Sequence, residues 1–167
     1  YAVLNFCFFC FKTKDNEKRK KCILFPMNTV TENALEFMKS ELEKAQIEVS
    51  DKENGREAVD FNIKYNNDNS YQLFFQSINF GIDRSIKIPK QDLGELNENL
   101  LIGLVLLIES EAKVLYLIPS TVFLNPNSIF KSNDVMLVHL SNWEISIFSK
   151  AIPELSKYAL DNMIDKL

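Results

Sequence analysis

The chain has 167 residues, of which 46% are hydrophobic and 25% are charged. These fractions are normal for a globular domain, and they exclude a disordered chain, a collagen and a disulfide-framed miniprotein. The whole chain carries a net charge of −4 and residues 1–21 carry +4, so residues 22–167 carry −8. An acidic body does not attract polyphosphate over long range, which disfavours nucleic acid as a partner unless a local basic groove or a metal ion is present.

The first 26 residues differ from the rest in composition. An apolar run over residues 1–11 precedes a basic run over residues 12–21, the reverse of the order in a secretory signal, and the apolar run is too short to span a bilayer as a helix. Met27 opens a regular segment. We therefore interpret residues 1–26 as an N-terminal appendage and residues 27–167 as a single domain.

All three cysteines lie in that appendage, at Cys7, Cys10 and Cys22. The body consequently has no disulfide framework, which favours a reducing, cytoplasmic setting. The Cys7-x-x-Cys10 spacing suits a redox or half-zinc site, but no second cysteine pair exists and the chain has one histidine, His139. We therefore interpret the pair as small apolar residues.

The first predicted element of the domain is a helix over residues 30–46. Its apolar residues recur in steps of three and four, at Leu35, Met38, Leu42 and Ala45. Residues 47–49 predict a short strand. Residues 58–65 then alternate, which places Val59, Phe61, Ile63 and Tyr65 on one face of a strand and Asp60 and Lys64 on the other. With the polar turn 66–69 and a second strand over 71–80, they predict a β-hairpin.

The second half of the chain predicts further strands. Residues 100–109 form an almost unbroken apolar run that suits a central strand covered on both faces. We also predict one or two helical turns within 90–99, strands at 113–118, Val135–His139 and Ile145–Phe148, and a closing helix over 151–165. The order predicts an α+β fold, an α/β sandwich with a mixed central β-sheet flanked by helices.

The order of a helix Glu, an Asp on a strand and a Gln on the next strand resembles the PD-(D/E)XK, or restriction-endonuclease-like, superfamily. The later run IKIPKQDLGELNENLLIGLVLLIESEAKVLYLIPSTVF resembles the back half of a bacterial subgroup of such proteins, so the similarity covers residues 30–160. The resemblance implies that Asp60, Gln76 and Glu36 bind a divalent metal, Mg²⁺ or Mn²⁺.

One position departs from the superfamily. Its lysine, which helps to activate the attacking water, corresponds here to Ile78, on the same strand face as Gln76. Isoleucine cannot transfer a proton or stabilise charge, and the loss of such a group costs about 10²–10⁴ in rate. Lys64, four residues after Asp60, is a candidate relocated lysine.

These observations lead to three hypotheses. The first is a degenerate nuclease-like protein that acts by binding, in a DNA-processing or defence context, and is not itself an active enzyme. The second is an active metal-dependent DNA endonuclease that uses Asp60, Gln76, Glu36 and Lys64. The third is a protein-interaction domain with no nucleic-acid role. We expect His139, which has no nucleophile or carboxylate at a recognised spacing, and Trp143 to be structural residues.

Overall fold

Two β-sheets form the centre of the computed structural model, which describes residues 29–51, 59–66 and 69–167. The predicted appendage 1–26 lies outside the described residues. The helices are α1 (Thr29–Lys44), α2 (Lys90–Leu93), α3 (Ile152–Leu155) and α4 (Leu160–Met163). The strands are β1 (Glu48–Asp51), β2 (Phe61–Tyr65), β3 (Asn69–Asn79), β4 (Ser85–Pro89), β5 (Leu100–Ile108), β6 (Glu111–Pro119), β7 (Phe130–Asn133) and β8 (Asn142–Ser146).

The larger sheet is mixed and has the order β1-β2-β3-β5-β6. The β2–β3 hairpin is antiparallel, as the sequence predicts, and Phe61 lies opposite Leu73. β3 and β5 are parallel, with Gln76 opposite Leu104. Because parallel neighbours need a crossover connection, the chain leaves the sheet between them, and β4 and α2 are formed on the way. The α+β content and the mixed sheet are confirmed.

Both faces of the larger sheet are buried, and β5 shows this most clearly. Leu100, Ile102, Leu104 and Leu106 belong to one apolar cluster, whereas Leu101, Val105 and Leu107 belong to a second. We call the first side the sheet face, because the smaller sheet covers it, and the second side the helix face, because α1 and α4 cover it. The unbroken apolar run at 100–109 is therefore the central strand that the sequence predicts.

The helix face is covered by the apolar stripe of α1. Ala34, Met38 and Leu42 of this helix are fully buried, and they pack with Leu160 and Met163 of α4. The predicted helix over 30–46 is thus confirmed within two residues at each end.

The sheet face is covered mainly by the smaller, antiparallel sheet β4-β8-β7. Its inward residues are Ile86, Ile88, Phe130 and Ile145, all in the same cluster as the even-numbered residues of β5. Phe123, in the 3₁₀ segment Ser120–Leu124, stacks on Trp143 of β8 with 5.1 Å between ring centroids. Strands β4 and β7 are not among the predicted elements. β7 has four residues and no alternation, whereas the alternation of Ile86 and Ile88 with Ser85 and Lys87 is a signal that could have predicted β4.

Two predicted elements are wrong in the C-terminal part. Residues 135–139 are not a strand, because they connect β7 to β8 and Val138–Leu140 form a 3₁₀ turn. The closing helix is broken at Ala159, whose extended backbone (φ −57°, ψ 144°) forms a bridge to Tyr116 of β6. The hydrogen bonding available at the sheet therefore overrides the helical spacing of the apolar residues.

The β5–β6 hairpin offers a test of turn chemistry. Its two loop residues, Glu109 and Ser110, both have positive φ, 53° and 65°, which is the type I′ conformation that favours Asn-Gly. We expect the double change Glu109→Asn, Ser110→Gly to raise the free energy of unfolding by about 0.5–1.5 kcal/mol, because asparagine and glycine adopt positive φ with less strain than glutamate and serine. Urea unfolding measures this change. Glu109→Ala, which removes the charge without relieving the backbone, should give no gain.

Candidate functional site

Asp60, the predicted metal-binding aspartate, lies just before β2 at the point where the hairpin begins. Its backbone N–H donates to Leu73 O, 3.0 Å away, and its carboxylate oxygen Oδ2 accepts the N–H of Phe75 at 2.7 Å. β2 pairs with β3 only from Phe61 onward, so no backbone carbonyl of β2 is opposite the Phe75 N–H. The Asp60 carboxylate accepts this N–H in its place. The Asp60 side chain therefore has a structural role.

This backbone arrangement also corrects the predicted alternation. Val59 packs in the cluster on the sheet face, whereas Phe61, Ile63 and Tyr65 pack with the helix face. Strict alternation would place all four together, so the prediction is wrong for Val59. The chain crosses the plane of the sheet at Asp60, because regular strand geometry begins only at Phe61.

Gln76 lies within β3 and is half-buried. Its neighbours at two-residue spacing, Phe74 and Ile78, pack on the sheet face, so strand alternation puts Gln76 on that face too. Asp60 is bonded to Leu73 O and to the Phe75 N–H of β3, and Phe75 directly precedes Gln76 in the chain. The structure thus brings Asp60, just before β2, close to the part of β3 that contains Gln76.

Ile78, which the resemblance aligns with a lysine, is 3% exposed and belongs to the core cluster of the sheet face. Its side chain shares that face with Gln76, as predicted. The residues that surround Ile78 in this cluster are hydrophobic, so position 78 accommodates an apolar side chain.

Glu36 is an exposed residue of α1. The buried stripe of α1 packs on the helix face, whereas Gln76 and Ile78 lie on the sheet face. The larger sheet therefore separates Glu36 from Gln76, and the structure does not bring the three predicted metal ligands together.

Lys64 is exposed near the far end of β2, opposite Ser70 of β3 and Glu48 of β1. Ser70 and Gln76 are six residues apart on β3, or about 20 Å along the strand. Lys64 instead lines a groove of about 720 Å³ between the end of α1 and β1, beside Lys39, Glu43, Glu48 and Asp51. A lysine in this position does not complete a site at Asp60.

Within residues 29–51, 59–66 and 69–167, no three His, Cys, Asp or Glu side chains are grouped so that they could hold a metal ion. The Cys7-x-x-Cys10 pair lies outside these ranges. None of the helices in the described ranges has the length and apolar character that a membrane span requires. His139 is exposed in the 3₁₀ turn between β7 and β8.

A polar cluster that the sequence did not predict lies at one end of the smaller sheet. Lys90 Nζ donates to Ser132 Oγ and to Asp134 Oδ1, each at 2.6 Å, and lies 3.8 Å from the centroid of the Trp143 ring. The hydrogen bonds from Lys90 and Ser132 hold the pKa of Asp134 below its ordinary value. Lys90 and Asp134 are 44 residues apart, so no local spacing could have predicted this contact.

A second polar cluster lies on β7 and β8. Burial acts to raise the pKa of the Glu144 carboxyl, but hydrogen bonds from Asn133, Lys131 and Ser146, together with the Lys131 charge, outweigh burial and lower the pKa. The carboxylate is therefore ionised and held by its neighbours. This arrangement stabilises a charged group and does not supply a general acid at neutral pH.

No protein-family model matches the chain, and the comparison with curated proteins finds no match.

Proposed function

We propose that this chain is a degenerate PD-(D/E)XK-like protein that acts by binding a protein partner and does not cleave nucleic acid. The observation that carries the proposal is the buried Ile78 at the position where the superfamily has its lysine. Two further observations support it. The Asp60 carboxylate accepts the N–H of Phe75, and Glu36 lies beyond the opposite face of the sheet.

The restriction-endonuclease-like fold is supported by the element order. Helix α1 precedes the β1-β2-β3 antiparallel strands, and β5 adds in parallel to β3 to complete a mixed sheet. Asp60 directly precedes β2 and Gln76 lies on the next strand, β3, an order that resembles the superfamily pattern. Similar folds host unrelated functions, so the function rests on the residues of the site.

A protein partner is favoured over nucleic acid by charge and by surface character. Residues 22–167 carry −8, which repels a phosphate backbone. The segment between β7 and β8 exposes several large apolar side chains, and contiguous exposed apolar surface marks contact with proteins.

A pair of substitutions at Asp60 tests the loss of the metal site. We expect Asp60→Ala to lower the free energy of unfolding by about 1 kcal/mol, because the Phe75 N–H loses its acceptor. Asp60→Asn keeps an acceptor oxygen and should cost less than half as much. Neither change should alter the heat of Mn²⁺ titration measured by calorimetry, since the proposal holds that no site is present.

The active-nuclease hypothesis makes the opposite prediction. Under it, the unsubstituted chain binds Mn²⁺ and cleaves DNA, and both Asp60 variants lose these properties whether or not they remain stable. Fluorescence anisotropy with labelled duplex DNA distinguishes the nucleic-acid form of the binding hypothesis. DNA binding that weakens steeply with salt and persists in Asp60→Ala would indicate that the partner is DNA and not a protein.

A further inference from the structure

The groove of about 720 Å³ beside β1 lies at an edge of the larger sheet. All four residues of β1 line it, and Lys39 and Glu43 of α1 form its other wall. Within the part of the chain that the structure describes, the strand paired with β1 is β2 alone. Alternate residues of an antiparallel edge strand direct their N–H and C=O groups away from that neighbour, so this edge can accept a further strand.

The charges along the groove favour a basic strand. Glu48 and Asp51 stand at the two ends of β1, both exposed, and Glu43 is exposed on the α1 wall. None of the three forms an ion pair with another described residue. Of the two lysines that line the groove, Lys39 lies over the Phe61 ring, with Nζ 4.9 Å from the ring centroid. Like charges opposite each other on adjacent strands are destabilising, so this edge disfavours an acidic strand and selects one with basic residues.

The spacing of the two β1 carboxylates matches one segment of this chain. The sequence contains one run of four consecutive basic residues, KRKK, at residues 18–21. Glu48 and Asp51 are three residues apart, and the first and last residues of the run have the same separation. In whichever direction the run lies beside β1, each carboxylate therefore has a basic residue opposite it. The aliphatic stem of the basic residue opposite Val49 can cover this half-buried side chain.

The run can reach the groove of its own chain. The residues between the run and Thr29, the start of α1, are 22–28, and this connection spans up to about 26 Å. Lys39 and Glu43 are ten and fourteen residues beyond Thr29, or about 15–21 Å along the helix axis. The length of the connection therefore permits binding within one molecule.

We propose that residues 18–21, which lie outside the described residues, bind as an added strand along the outer edge of β1 of their own chain. Main-chain hydrogen bonds to β1 supply the affinity, and the pairs of basic residues with Glu48 and Asp51 supply the specificity. The run then covers the edge, so a partner protein that adds a strand there must first displace it. This contact is independent of the nuclease-like ancestry. It can be absent while the Mn²⁺ and DNA experiments still support the proposed function, and the reverse also holds.

Amide hydrogen exchange of the full chain, followed residue by residue by NMR, tests the proposal. The inward amides of β1 bond to β2 in every variant, whereas the outward amides gain a strand partner only when the run is bound. We expect the double change Lys18→Glu, Lys21→Glu to accelerate exchange of the outward β1 amides about tenfold or more and to leave the inward amides unchanged. The double change Lys12→Glu, Lys14→Glu alters the net charge by the same amount and should have no such effect.

A charge swap distinguishes a specific pairing from a general effect of charge. The double change Glu48→Lys, Asp51→Lys should also release the run and expose the outward amides. Combined with Lys18→Glu, Lys21→Glu, it should restore the protection, because opposite charges again face each other. Circular dichroism should show that all these variants are folded, since both β1 carboxylates are exposed.

Four results would overturn the proposal. The first is that outward β1 amides of the unsubstituted chain exchange as fast as in Lys18→Glu, Lys21→Glu. The second is that Lys12→Glu, Lys14→Glu loses as much protection. The third is that the charge-swapped chain does not recover it. The fourth is protection that falls on dilution together with an average mass above that of the monomer in analytical ultracentrifugation, which would identify the run of a second copy as the occupant.

Discussion

Replacing Ile78 by lysine, the residue that the PD-(D/E)XK pattern has at the corresponding position, should destabilise the protein by more than about 3 kcal/mol and should not create nuclease activity. Ile78 is 3% exposed in the cluster between the two sheets. A lysine there would bury an unpaired charge among hydrophobic residues, which is among the most costly single changes. Urea unfolding and a Mg²⁺-dependent cleavage assay measure the two effects.

The pH dependence of this variant provides an internal control. Burial lowers the pKa of a lysine below about 10.4, so between the folded and unfolded pKa values the unfolded chain binds more protons. Stability of Ile78→Lys should therefore increase as the pH rises through that window. Ile78→Val, which keeps an apolar side chain, should cost about 0.5–1.5 kcal/mol and show no such dependence. A stable Ile78→Lys variant with metal-dependent cleavage would contradict the assignment of this residue to the core.

Replacing Phe123 by alanine should lower the free energy of unfolding by about 3–5 kcal/mol. The ring is 1% exposed, stacks on Trp143 and meets Phe130 edge to face at 5.9 Å. It therefore joins the end of β6 to both β7 and β8. Phe123→Leu fills most of the space and should cost less.

Trp143 is the one tryptophan of the chain, so its fluorescence reports on the smaller sheet. Far-ultraviolet circular dichroism reports on the whole domain. Because the smaller sheet shares its core with the sheet face of the larger one, we expect the two signals to change at the same urea concentration. Fluorescence that changes first, with most of the dichroism retained, would mean that the smaller sheet unfolds independently.

The sequence by itself determined the elements whose hydrophobic pattern is long and regular. The apolar stripe of α1 is buried when the segment is a helix, and the apolar run of β5 is buried when the segment is a central strand. Both elements are present in the structure. The alternation around Ile63 likewise defined the β2–β3 hairpin. The isoleucine at position 78 could be identified from the sequence as a departure from the pattern that the chain resembles.

Only the tertiary structure decided which residues meet. Whether Glu36 shares a face with Gln76 depends on the side of the sheet on which α1 packs, and helical periodicity contains no information about that side. The contact between Lys90 and Asp134 was also decided by the tertiary structure, because the two residues are 44 positions apart in the sequence. Residues 135–139 are a segment for which the hydrophobic pattern led to a wrong prediction. Their apolar pattern predicted a strand, but the connection between β7 and β8 is fixed at its ends by polar contacts of Asp134 and Ser141, and Val135, Met136 and Leu137 are exposed.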